Sequence, residues 1–472
     1  MIGRTHYGGA FLLLPAALAL VAVAERAFGR GLGSACKARR LVLSLFFRAV
    51  LGIEHIFHFE TVDDLGFAII SGGTKVMSRS RLGGLVRAVT THAVDTFMRA
   101  TEGLSALRDQ VVTLSADEHV VARFTRKFKI PKGFHTLRNK KMRAEKLSYL
   151  YWPKARRFLS LLVSRGNAKL IELTIDFVRA LRSRVRLGKL RVILDAGAST
   201  SNDGLRRLDR FHKTVFLIRA PRRPGYVNAW KKLPRDRFTH HTEAGRFKGA
   251  KDKEIEIAET TTAIKGVPHP LRTIVVRERA LKGKDRWHSL FILHDDTTAP
   301  LDLLHEYRTR QHHEQGHRIG VHDLWIDTSA SGYPKSGRPD RPGFRRGPFA
   351  LYAWIAALAW DALRDLGHSL PQRFHLAHPR TLRRWVLLRD ADLILTSTHL
   401  LVVLTFSARR AWLRPLVQQF NEAQVALPWL GGRRVVMGFA VRSQALPDAQ
   451  PVLAHLEEVG SRRVGGYGGV WC

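Results

Sequence analysis

Cysteine is almost missing from this chain, with two among 472 residues, Cys36 and Cys472, at opposite ends. That excludes a disulfide framework and a thiolate zinc cluster, and it fits a reducing cytoplasm. Methionine is scarce as well, at five residues. Acidic residues are in short supply: 40 Asp and Glu stand against 78 Lys and Arg, a formal net charge of +38. An excess of that size releases condensed counterions from a polyphosphate, so nucleic acid is the leading partner, although charge spread along the whole length points to no single site. No internal repeat is visible. The apolar run Ala10 to Ala24 is short for a bilayer. Its Ala22-Val23-Ala24 imitates a signal cleavage site, but a core helix entered through Pro15 explains the same letters, and no membrane association is expected.

What is present in ordinary amounts, 45% apolar and 25% charged residues, suits two or three globular domains. Residues 1–105 read as a helical N-terminal region without a sheet, with periodic stretches at Phe11 to Phe28, Arg40 to Leu51 and Leu82 to Met98. From Val111 the period changes to that of strands: VVTLSADEHVVARF, EKLSYLYW and RRFLSLLVS, then a helix over Ala168 to Val185, the short strand LRVILDAG, a helix SNDGLRRLDRF and the strand VFLIRA. This order describes an α/β sheet covered on both faces, spanning 106–330. A β-rich insertion is expected at about 221–284, and one helix from about Ala299 to Arg318. The remainder, 331–472, reads as a C-terminal α/β region for DNA contact or dimerisation. It opens on a Gly, Pro and Arg loop before the apolar helix FALYAWIAALAWDALRDLG, and continues with a basic helix PRTLRRWVLLR and a strand DLILTSTHLLVVLTF.

One run supports two incompatible chemistries. Residues His313 to Asp323, HEQGHRIGVHD, resemble the zinc signature of the metzincin proteases, with His313 and His317 one helical turn apart, Glu314 as general base and His322 as third ligand after a turn at Gly320. The same Glu314 also closes the pattern Tyr307, Arg310, Glu314, whose side chains fall within about 60° of one another on one helical face. Against the protease, the nearest downstream methionine for a Met-turn is Met437, and His305 and His312 add to a local crowd of histidines that makes a chance match easier.

Two upstream acids decide the matter. Asp117 lies inside the first strand, framed by Leu114 and Ala116, and Asp195 ends the short buried strand before an Ala-Gly turn. A carboxylate at such a position costs several kcal/mol unless a cation or hydrogen bonds compensate it. With these acids, the strand and helix order and the Tyr307, Arg310, Glu314 pattern, the chain resembles the DDE transposases of bacterial insertion sequences. The resemblance implies an RNase H-like mixed sheet flanked by helices, in which Asp117, Asp195 and Glu314 hold two Mg2+ ions, with Mn2+ able to substitute, while Tyr307 and Arg310 position DNA phosphate. The family commonly has a lysine seven residues after the glutamate; here that position is Val321, and Arg318 is the candidate replacement cation. The implied partners are double-stranded DNA, the element's terminal inverted repeats and target DNA, bound by a homodimer in the nucleoid-associated cytoplasm, with the N-terminal region recognising the ends.

Other residues compete for these roles. Glu118 is an alternative to Asp117, capping of the following helix is an alternative task for Asp195, and Asp295 and Asp296 are read as turn or cap residues. The stretch Lys132 to Arg143, read as a turn between two strands, offers Lys132, Arg138, Lys140 and Lys141 as phosphate contacts. Trp230 and Trp287 are weighed as stacking residues for an unpaired base against the commoner role of core residue. A zinc protease and a catalytically inactive, transposase-derived DNA-binding protein stand as the alternatives to the transposase.

Overall fold

The computed structural model describes residues 2–108, 111–123, 132–135, 138–243, 252–279, 285–328, 346–405 and 408–440. The basic loop between Thr328 and the apolar helix therefore lies mostly outside the described residues, as do the last 32 residues, parts of the expected insertion (244–251 and 280–284) and Thr136–Leu137 of the basic stretch. The chain forms two compact units, 1–101 with 317–472, and 102–316. Three consecutive regions were expected; instead the N-terminal and C-terminal regions share one unit.

The N-terminal part of the first unit carries β1 (Ile2–Thr5), α1 (Leu14–Leu32), α2 (Ala35–Leu51), α3 (Leu65–Ile70), α4 (Arg79–Ala88) and α5 (Thr91–Thr101). Local chemistry sets the helix ends. Ser34, Asp64 and Ser78 accept the amides of Lys37, Phe67 and Arg81, and Gly33 and Gly52 close α1 and α2 in the left-handed region that a side chain would strain. The stretch Leu82 to Met98, expected as one helix, is broken after Ala88. Gly8–Leu32 is long and apolar enough to cross a membrane by length and composition, longer than the 15-residue run suggested. Half of the 18-residue apolar stretch within it is buried inside the protein, and Phe28 packs its ring 5.2 Å from Phe97.

The second unit holds β2 (Val112–Ala122), β3 (Lys132–His135), β4 (Lys140–Trp152), β5 (Arg157–Arg165), α6 (Leu170–Arg184), β6 (Leu190–Leu194), α7 (Asn202–Asp209), β7 (Thr214–Arg219), α8 (Pro224–Lys231), β8 (Thr239–Glu243), β9 (Lys253–Thr262), β10 (Leu271–Glu278), β11 (Arg286–Leu293) and α9 (Pro300–Arg308). Helix α10 (Arg310–Asp323) starts in this unit and ends in the other. The sheet runs β3-β4-β2-β6-β7-β11-β10-β9-β8, with β5 also paired to β4. Strands β2, β6 and β7 are mutually parallel, and β4 and β11 flank them antiparallel. The β-rich insertion is thus no separate module: β11 pairs with β7, Phe291 opposite Ile218, and carries β8 to β10 onto the same sheet.

Strand alternation sorts the side chains onto two faces. Val112, Leu114, Ala116, Val192 and Leu194 join Ile175 and Val178 of α6 and Leu205 of α7 in one core. On the other face Ile193, Leu217, Ile274 and Leu290 pack against Leu303, Leu304 and Tyr307 of α9. The single helix expected over Ala299 to Arg318 is two helices that meet at Thr309, the second reaching Asp323.

The C-terminal part of the first unit follows with α11 (Arg346–His368), α12 (Pro379–Leu382), β12 (Ala391–Leu395), β13 (His399–Thr405), α13 (Arg414–Glu422), β14 (Ala426–Leu427) and β15 (Arg433–Ala440). The strand expected over DLILTSTHLLVVLTF is an antiparallel pair, turned at Thr396–Thr398. Its partner on the far side is β1, which completes the sheet β1-β12-β13-β15-β14 and supplies the strand that the N-terminal sequence did not advertise.

The turn leading into α9 is fixed by a buried acid. Asp295 accepts Lys189 Nζ, Arg191 Nη2 and Thr298 Oγ1 at 2.9 Å each, and the amides of Thr297 and Thr298 at 3.2 and 3.0 Å. Burial alone would raise its pKa, but these donors outweigh it and hold the carboxyl well below the usual range. The resulting stability is present above the ordinary carboxylate pKa and is lost as pH falls below it. Asp295→Ala is expected to destabilise the chain by about 3 kcal/mol, read from urea denaturation at neutral pH. An unchanged midpoint would contradict this role.

Candidate active site

One face of β2 receives both late helices. Thr113, Ser115 and Asp117 alternate with the inward Leu114 and Ala116, so they point together to the opposite side. Thr113 Oγ1 donates to Glu306 of α9. Ser115 Oγ meets His313 Nδ1 at 2.9 Å, and Asp117 Oδ2 accepts Arg310 Nη2 at 2.9 Å. On β6 the same alternation aligns Arg191, Ile193 and Asp195. Arg191 pairs with Glu306 at 2.8 Å, and Ile193 joins the core beneath Tyr307. Two adjacent strands therefore fix the register of the helices that carry the third acid.

Arg310 is where the acids meet. Its guanidinium reaches Asp117 Oδ2 at 2.9 Å and Asp195 Oδ2 at 3.5 Å, and it pairs with Glu314 one turn along α10. Asp195 stands at the N-cap position of a short 3-10 turn yet makes no capping bond with its side chain. Its carboxylate is engaged with Arg310 instead. Glu118 points to the other face and is tied to Lys146 Nζ at 2.5 Å. Burial pushes the Asp117 carboxyl up to about 6; Arg310 and the Glu118 amide pull it back, and Asp195 and Glu314 add to the rise. For Arg310, burial works to lower the pKa, but Asp117, Asp195, Tyr307 and Glu314 together raise it. Three carboxylates against one guanidinium leave two negative charges uncompensated when all are ionised.

Tyr307 is buried against the β6 and β7 side chains, and among the described residues its hydroxyl has no hydrogen-bond partner. Burial raises its pKa, with Arg310, Asp195 and Glu314 within electrostatic reach. An unsatisfied buried hydroxyl beside a net negative cluster calls for a ligand. The donor set, all carboxylate oxygens, suits a hard divalent ion such as magnesium. In the present arrangement the guanidinium spaces the carboxylates. Among the described residues no group of three or more His, Cys, Asp or Glu is set to hold a metal directly.

The histidines do not make a zinc site. His313 is fully buried, stacked on Tyr151 with ring centroids 4.8 Å apart and planes 8° from parallel, which makes it a docking residue of the core. Helix α10 continues unbroken through Gly320 to Asp323, so the turn the protease needs is absent, and nine residues of helix put His322 on the side opposite His313. Arg318 is exposed on α10, one turn beyond Glu314.

The basic stretch is a hairpin arm and not a turn alone: β3 pairs with β4, Lys132 opposite Arg143 and His135 opposite Lys140. Lys132, Arg138, Lys140 and Lys141 are exposed. Lys132 and Lys141, with Lys146 and Lys169, line a cleft of about 870 Å³ whose wall includes Asp117 and Asp195. Trp230 is core, 2% exposed. Trp287 packs on Phe238 and under Arg277. Both tryptophans are therefore packing residues, the commoner of the two roles weighed for them. The docking roles of Thr113, Ser115 and His313 escaped sequence reasoning; the signal was small polar residues alternating with Leu and Ala along β2.

Between the ordinary carboxyl value near 4 and about 6, the folded chain keeps a proton on Asp117 that the unfolded chain has released. The contribution of this group to stability therefore falls as pH rises through that window. In metal-free solution Asp117→Asn is expected to be more stable than the parent at about pH 7.5, with the difference shrinking toward pH 4.5, as measured by thermal unfolding. A variant that is less stable at both values contradicts the account of Asp117.

No protein-family model matches the chain, and no curated protein matches it. Among solved structures it is similar to a chain in the cryo-EM structure of the piggyBac transposase synaptic complex with hairpin DNA, at 12% identity over 81% of each chain and a TM-score of 0.43. At that identity and score, the functional reading rests on the site itself.

Proposed function

We propose that the chain is a DNA transposase of the DDE type, which cuts DNA at the ends of an insertion sequence and joins the freed ends to a target. The observation that carries this reading is the meeting of Asp117, Asp195 and Glu314 on Arg310, from a strand, the end of its parallel neighbour and a helix. The strand order β5-β4-β2-β6-β7, with β2, β6 and β7 parallel and β4 antiparallel, supports an RNase H-like core for the same reading.

Asp117, Asp195 and Glu314 would hold two Mg2+ ions, for which Mn2+ can substitute. When bound, such a pair supplies positive charge to the attacking and leaving oxygens of an in-line phosphoryl displacement. The remaining work falls to the chain. Arg310, released from the carboxylates, turns its planar fork to a phosphate of the scissile strand, and the Tyr307 hydroxyl gains the partner it lacks. Lys132, Lys141 and Lys169 along the cleft, together with Arg138, Lys140 and Arg318, hold the DNA backbone. The chemistry is hydrolysis at an element end followed by attack of the freed 3′-hydroxyl on target DNA. Two ends must be held together, so a homodimer on DNA in the nucleoid-associated cytoplasm is part of the proposal.

Glu314→Gln, Asp117→Asn and Asp195→Asn are each expected to reduce magnesium-dependent cleavage of end-containing duplex DNA by on the order of a hundredfold or more, with DNA binding retained. His317→Ala is expected to stay within about threefold of the parent, because no metal is held by imidazole in this scheme. Equal losses in His317→Ala with dependence on zinc would overturn the reading, and binding without cleavage by the parent protein would make it a non-catalytic DNA-binding protein.

A further inference from the structure

The large exposed hydrophobic side chains among the described residues are Phe57, Val111, Phe134, Leu376, Trp385 and Leu388. Of these, Phe134 alone lines the acid-walled cleft. It sits on the β3 arm, and the residue is 51% exposed. An aromatic ring left in water at such a place gains nothing for folding, whereas it offers a flat apolar face to a ligand.

The arm that carries it is held tightly. Gly133 is buried, and a Cβ there would lie 2.3 Å from the carbonyl oxygen of Gly166; a Cβ on Gly166 would in turn lie 2.6 Å from the carbonyl oxygen of Ala144. Three backbones thus stack without side chains between them, and the neighbouring ring is presented from a rigid support. Charge is arranged around it. Lys132, two residues away on the same strand, points to the same side as Phe134, and Lys141 is its direct cross-strand partner. Both lysines line the cleft with the ring. A flat apolar face flanked by two cations matches a nucleotide whose base is unpaired and whose phosphates lie to either side.

We propose that Phe134 is a stacking platform for one unpaired nucleobase of the DNA strand in the cleft, with Lys132 and Lys141 taking its flanking phosphates. The inference rests on the nucleic-acid reading of the cleft and adds to it a preference for a strand that is locally unpaired. Duplex DNA has no base face to offer the ring, so the arm favours a frayed or distorted segment next to the acids, and stacking on Phe134 offsets part of the unpairing cost.

The test compares full-length protein and its Phe134→Ala and Phe134→Trp variants on two probes of one sequence: a blunt, fully paired duplex, and the same duplex with a short unpaired segment carrying 2-aminopurine. Expected for Phe134→Ala is about tenfold weaker binding of the unpaired probe, with less than about twofold change on the paired duplex. The 2-aminopurine quenching seen with the parent is expected to disappear in Phe134→Ala and return in Phe134→Trp, a rescue that a merely structural side chain would not produce. If the parent binds both probes and Phe134→Ala weakens neither, or weakens both equally, the stacking proposal is overturned and the nucleic-acid reading stands. If the parent binds neither probe, both fall together.

Discussion

The guanidinium of Arg310 is the constraint on which the candidate site depends. It sits 12% exposed in contact with three carboxylates and offsets their mutual repulsion. Burial still raises the Asp117 carboxyl, so the compensation is incomplete. An arrangement of this kind is poor as a device for stability, because a hydrophobic substitute would cost less. On the proposed reading, it keeps three acids gathered for a stronger cation and a phosphate.

The placement of Arg310 is in turn a consequence of strand alternation. Thr113, Ser115 and Asp117 receive Glu306, His313 and Arg310 in order along β2, so α9 and the start of α10 are docked by polar contacts at one end and by the Leu303, Leu304 and Tyr307 contacts at the other. Asp295, with Lys189 and Arg191, fixes the turn that feeds α9. The basic hairpin arm belongs to the same construction, because β4 pairs directly with β2 and brings its lysines to the cleft that Asp117 and Asp195 help to line.

Much of this was legible in the residues. Strand-like stretches located β2, β4 and β5, short apolar runs located β6 and β7, and Asp117 and Asp195 stood out as acids where strands should be apolar. Glu314 emerged from helical spacing even though the helix is interrupted at Thr309, since the interruption falls between Tyr307 and Arg310 and leaves Arg310 and Glu314 on one continuous turn. The histidine pattern misled because spacing cannot tell a ligand from a core residue; only packing shows His313 stacked on Tyr151. Equally hidden were the pairing of β1 with β12 and of β11 with β7. Both are long-range contacts, and no local signal encodes which distant strand a four-residue or eight-residue segment will choose.

The most direct test of the central claim is electron paramagnetic resonance of the protein titrated with Mn2+. If Asp117, Asp195 and Glu314 form a two-ion site from which Arg310 can be displaced, the parent will show a spin-coupled pair about 4 Å apart, and Asp195→Asn will lose it. A parent protein that binds no manganese, or binds it equally well after Asp195→Asn, would contradict the account.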